Sequence, residues 1–166
     1  MGKEKAAIAC LLFVGFGVLG WLRAVEIFSL PLLLYYVILV VNTFFSIRTF
    51  APITPSDGVQ TLFDIVLASL YLALALSFAS VFFFSLISAA LFLGAVGKYA
   101  HLLRLIAYPT LLRRKIRLNA LAALLSTVVF CTAVAGFTEM AAWLLCIVFG
   151  IANIYVLIIR PMYRIS

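Results

Sequence analysis

Charge, histidine and metal-ligating side chains are what this chain has least of. Of its 166 residues 10% are charged, five are acidic and one is histidine. A soluble domain is about a quarter charged and roughly half apolar. Here 67% of residues are hydrophobic and the mean hydropathy is +1.31. No soluble fold hides that much apolar surface. A single histidine excludes bis-histidine haem ligation and argues against a histidine-built metal centre. GxSxG, HExxH, P-loop and GxGxxG patterns are absent, and with them the common signatures of hydrolases, zinc proteases and nucleotide binders. Asp57 and Asp64 fall on one predicted helix, whereas an aspartyl intramembrane protease needs its two acids on different helices. Metal-dependent phosphotransfer needs more acids than are present. The expectation is therefore no cofactor, no metal and no catalytic residue.

Other absences narrow the class further. Cys10, Cys131 and Cys146 lie inside apolar runs without CxxC spacing, so they read as small buried residues. The opening stretch MGKEKAAIACLLFVGFGVLGWLRAVE has no small-x-small cleavage site after its apolar run, which predicts a retained first span. It also lacks the Ser or Thr that a myristoylation signal prefers. The +7 net charge does not point to nucleic acid, because the cations sit between apolar runs rather than on an amphipathic scaffold.

What is present is a succession of apolar runs. A crossing takes about 20 residues, so runs of this length are helical spans rather than barrel strands. The expected fold class is an all-α integral membrane protein. Residues 1–166 form one compact bundle of six transmembrane helices, at about 6–22, 28–47, 55–77, 80–97, 118–135 and 139–159. From Pro55 to Gly97 the chain is apolar for about forty residues, twice one crossing. It is divided here by a tight turn at residues 76–80. Six spans with both termini cytoplasmic put Lys3, Lys5, Arg48, Lys98, Arg104, Arg113, Arg114, Lys115, Arg117, Arg160 and Arg164 on the cytoplasmic side and leave only Arg23 outside. Five spans would divide the cations, so the positive-inside rule favours six. No inverted repeat relates the two halves.

Thr54-Pro55-Ser56-Asp57 reads as a helix start, with Thr54 the cap, Pro55 in the first turn and Asp57 the capping-box acid. Asp64 has no such role. It is expected about 13 Å inside the third span at ~1.5 Å per residue, where an acid costs several kcal/mol unless it is paired, protonated or wetted. Asp57, Gln60, Asp64 and Tyr71 share a helical face by spacing. The expected partner is Arg48, with Asn42 and Ser46 on the same face below it. This yields two readings, an interhelical clamp or a polar transport site formed by Asp64, Arg48, Asn42, Gln60 and Tyr71.

Residues 98–117 read as a cytoplasmic basic loop that rests on anionic headgroups, carrying Lys98, His101, Arg104, Arg113, Arg114, Lys115 and Arg117. Glu139 suits a helix N-terminus, and Arg23 and Glu26 are placed to pair locally. Cys146, Gly150 and Asn153 share a face that suits close packing, with Asn153 bonding across. Gly15, Gly17 and Gly20 suggest the same for the first span. Arg160, Tyr163 and Arg164 read as an interfacial anchor.

The functional expectation is permeation or transport of an ion or small solute by a multi-pass protein of the bacterial cytoplasmic (inner) membrane, working as a homo-oligomer. The alternative is a non-catalytic subunit or assembly factor of a larger membrane complex. A lipid-modifying enzyme comes third. The bilayer, through anionic headgroups, is the expected partner; nucleic acid is not.

Overall fold

The computed structural model describes residues 2–24, 29–106 and 108–163. All regular structure among them is helical: α1 (Gly2–Ala24), α2 (Ser29–Phe50), α3 (Gly58–Leu76), α4 (Val81–Leu102), α5 (Pro109–Val134) and α6 (Thr138–Ile154), the last running into a π-helix at Tyr155–Ile159. Six helices, with the π-turn counted into the sixth, are long and apolar enough to cross a membrane. This suits a multi-pass membrane protein. Phe28, Glu26 and Arg164, which entered the expected second span, the Arg23 pair and the interfacial anchor, lie outside the described residues.

Helix boundaries follow local chemistry, and several differ from expectation. The third helix starts at Gly58, not Pro55. Asp57 is its N-cap: its backbone is extended and its carboxylate accepts from Gln60 N–H at 3.1 Å. Thr54 instead closes α2, its hydroxyl donating to the Phe50 carbonyl at 2.8 Å. The long apolar stretch does divide, between Leu76 and Val81. Ser77 donates to Leu74 O, and Ser80 caps α4 by accepting from Phe83 N–H. Serine hydroxyls thus make a turn without Gly, Pro or Asn.

Residues 98–117 are mostly helix rather than loop. α4 runs on to Leu102, and α5 begins at Pro109, a residue suited to a first turn because it lacks the N–H that would be orphaned there. At the far end of α5 the chain turns at Gly136, whose φ of +92° suits glycine alone. Phe137 N–H reaches Thr132 O and Gly136 N–H reaches Ala133 O, closing the helix end.

The helices close a ring in the order α1, α2, α6, α5, α4, α3, each packed on the next. Aromatic side chains fill the centre. The Tyr35 ring lies 4.5 Å from that of Phe149, tilted by 43°, and meets Phe84 edge-on at 5.5 Å, and Phe78 and Phe84 are fully buried. Below them Tyr35 bonds Ser88, which bonds Ser126, tying α2, α4 and α5. The bundle axis is therefore packed, not open. α1 and α3 touch where a Cβ at Gly20 would fall 1.8 Å from the Ala75 carbonyl oxygen, and Gly17 faces the Tyr36 ring. Gly15 faces open space, so of Gly15, Gly17 and Gly20 only the last two pack closely. Cys10 and Cys146 are buried, but Cys131 is exposed, a correction to the reading of all three as buried.

Alternating helices gather the C-terminal ends of α2 and α4, the N-terminal ends of α3 and α5 and the end of the π-helix at one end of the bundle. That end carries most of the cations. Arg23 and Glu139 lie at the other.

Candidate functional site

The expected polar stripe does not form one site. Gln60 is buried and donates to the Lys98 carbonyl at 3.3 Å. Tyr71 is buried, bonded to Thr43 and stacked on Phe13 at 4.4 Å between ring centres. Asp64 points outward, its side chain 58% exposed, and pairs with Lys98. Helix α3 starts later than expected, so Asp64 lies about 9 Å along it at ~1.5 Å per residue. Arg48 does not meet Asp64. It is exposed beside a cavity of about 480 Å³ that it lines with Phe45, Thr49, Pro161 and Tyr163. The two side chains face outward from helices that are not neighbours in the ring. Asp57, the N-cap of α3, meets His101 at 2.9 Å. Lys98 and His101, one turn apart on α4, thus clamp the start of α3. His101 and the Gln60 N–H hold the Asp57 carboxyl below its ordinary carboxylate range.

The chemistry gathers instead around Lys115. On α5 the buried positions are Leu112, Lys115, Asn119, Ala123, Ser126, Val129 and Ala133. That spacing of three and four turns Lys115 and Asn119 inward on one face. Lys115 is 6% exposed and Asn119 5%. Lys115 does not belong to the basic surface read from the sequence; Arg113 and Arg117 beside it are exposed.

The π-helix brings the last partner into place. Arg160 N–H bonds Tyr155 O, Pro161 prevents the helix from continuing, and Met162 N–H reaches back to Val156 O at 3.0 Å. Arg114 holds the corner through the Arg160 carbonyl at 3.2 Å. Tyr163, expected as an interfacial anchor, is thereby folded back onto Lys115.

A directed set of hydrogen bonds results. Lys115 Nζ donates to Tyr163 Oη at 2.5 Å and to Asn42 Oδ1 at 3.4 Å. Tyr163 donates to the same Asn42 oxygen at 2.6 Å. Asn42 Nδ2 donates to Asn153 Oδ1 at 2.5 Å, and Asn153 Nδ2 to the Phe149 carbonyl at 2.8 Å. Asn153 does bond across helices, with Asn42 as its partner. Burial pushes the Tyr163 phenol up, so it stays a neutral donor. Lys115 Nζ also lies 5.1 Å from the Tyr163 ring centre and 5.8 Å from that of Tyr99, whose hydroxyl meets Ser46 at 2.6 Å.

Among the described residues no carboxylate pairs with Lys115. Asn119 Nδ2 is buried without an acceptor. Both side chains line a cavity of about 340 Å³ between α5 and α6, with Asn42, Asn153 and Tyr163 at the same polar end and Phe92, Leu125, Val148, Ala152 and Val156 along the rest. A buried lysine facing only neutral acceptors among the described residues, and an amide whose N–H none of them accepts, make a donor-rich end in an otherwise apolar hollow. The i, i+4 spacing of Lys115 and Asn119 was the signal in the sequence. Four cations in five residues obscured it by suggesting a solvated surface. Among the described residues, no group of His, Cys, Asp or Glu is placed to hold a metal.

No protein-family model, curated protein or solved structure matches the chain.

Proposed function

We propose that this protein transports a small solute across a membrane and holds it at the Lys115 cavity rather than around Asp64. One observation carries the reading: Lys115, buried and facing no carboxylate among the described residues, shares a cavity with Asn119, whose amide nitrogen has no acceptor among them. Such groups are costly in a folded chain unless a ligand or water meets them, and ionisable residues inside membrane spans mark substrate paths by default. The packed aromatic axis favours a carrier that binds its solute over an open pore. The cation-rich end faces the cytoplasm in this reading, as the positive-inside rule expects, with exposed Arg104, Arg113 and Arg117 against anionic headgroups in a bacterial inner membrane.

Uptake of a panel of labelled organic anions into proteoliposomes tests it. At least one should enter saturably with wild type and fall to the empty-liposome rate with Lys115→Met. If no anion enters faster than into empty liposomes, transport is wrong.

A second reading rests on Asp64. A carboxylate on an outward helix face, beside exposed Leu62, Ile65 and Val66, suits contact with another polypeptide, a second copy or a different subunit. Mild extraction would then recover an assembly that Asp64→Leu disperses; a monomer from wild type contradicts it.

A further inference from the structure

We infer that the Lys115 cavity takes an amphiphile with an anionic oxygen head and a single apolar chain, and that the chain enters sideways from the bilayer between α5 and α6. The inference rests on the cavity being a solute site, and it adds the class of solute and its route.

The head follows from the donors. An ammonium has three N–H bonds. Two reach Tyr163 and Asn42, no hydrogen bond among the described residues takes the third, and Lys115 is one of the residues that line the cavity. Asn119, one turn along the same face, adds an N–H that no atom of the described residues accepts. A carboxylate or phosphate oxygen pair accepts from both. A cationic head would meet Lys115 with no carboxylate among the described residues to offset it.

The tail follows from the rest of the wall, which is apolar and offers a polyol or a nucleoside nothing to bond. The route follows from exposure. Leu121 and Val148 line the cavity and also reach the outer surface at 62% and 40% exposure. They lie on the seam between two spans, well inside both. At about 340 Å³ the hollow equals roughly eleven water volumes of ~30 Å³. It holds a head and the first part of a chain, and the remainder trails out along the seam.

The test is ligand binding to the full-length protein, read by native mass spectrometry. The probes are dodecanoate, dodecanol, dodecyltrimethylammonium, acetate and inorganic phosphate. Dodecanoate should bind one to one, and Lys115→Met should weaken it at least tenfold. Asn119→Leu should weaken it several-fold while the melting temperature holds or rises, because the substitution removes an unpartnered donor. That variant keeps the test sound if Lys115→Met folds poorly. Ala152→Trp, which fills the seam, should block dodecanoate. Dodecanol or the ammonium amphiphile binding as tightly as dodecanoate overturns the proposal, as does dodecanoate binding that ignores both α5 substitutions. Acetate or phosphate binding as tightly as dodecanoate overturns the amphiphile and the sideways route but leaves a small-anion carrier standing. No saturable binding of any probe overturns this inference, while the uptake experiment decides transport on its own.

Discussion

Asn42 is the residue on which the polar cluster turns. Its oxygen accepts from Tyr163 and Lys115, and its nitrogen donates to Asn153. Replacing it with leucine strands three polar groups on three other segments. Each unsatisfied buried group costs about 1–3 kcal/mol, so Asn42→Leu should lower the unfolding free energy by at least that much in a denaturant titration. A variant as stable as wild type would show that the cluster is wet or loosely bonded. Asp57 gives a second prediction. His101 first, then the Gln60 N–H, depress its folded pKa. The unfolded chain therefore binds that proton more readily. The stabilisation is complete above the unfolded value of about 4 and is lost as pH falls through the lower folded value. Asp57→Asn should flatten the acid limb of a melting-temperature profile in that window. An unchanged limb would assign it to other groups. Asn42 and Tyr71 were visible in the sequence as inward polar residues. Their true partners were not, because helical spacing shows which side chains share a face but not which helix lies opposite.

At the scale of the element, the apolar runs made six helices legible, since their length against a bilayer leaves few alternatives. The ends were less so. Thr54-Pro55-Ser56-Asp57 offers two possible caps, and the choice of Asp57 depends on Phe50 O taking the Thr54 hydroxyl. That moved Asp64 nearer the helix start and gave it to Lys98. The contact of α1 with α3 is testable in the same terms. A methyl group at Gly20 meets the Ala75 carbonyl, whereas one at Gly15 meets nothing. Gly20→Ala should cost about 1–3 kcal/mol through overpacking. Gly15→Ala should be neutral or stabilising by up to about 1 kcal/mol, from helix propensity. Equal effects at the two positions in unfolding titrations would contradict the packing of α1 on α3.

For the whole molecule, the ring order decides which side chains meet. It separates Arg48 from Asp64 and sets α5 beside α6, so that Lys115, Asn119 and Asn153 converge. No local pattern encodes that neighbourhood, which is why the basic 98–117 stretch read as surface. Among the described residues the ring also leaves the Lys115 cavity at the side of a packed axis. The most direct test is native mass spectrometry of the protein extracted gently into nanodiscs, wild type beside Asn119→Leu and Lys115→Met. Wild type should carry a bound small anion that Asn119→Leu reduces and Lys115→Met loses. Wild type with no small molecule, holding a stoichiometric foreign subunit instead, would contradict the solute site and make the Lys115 cluster part of an accessory chain.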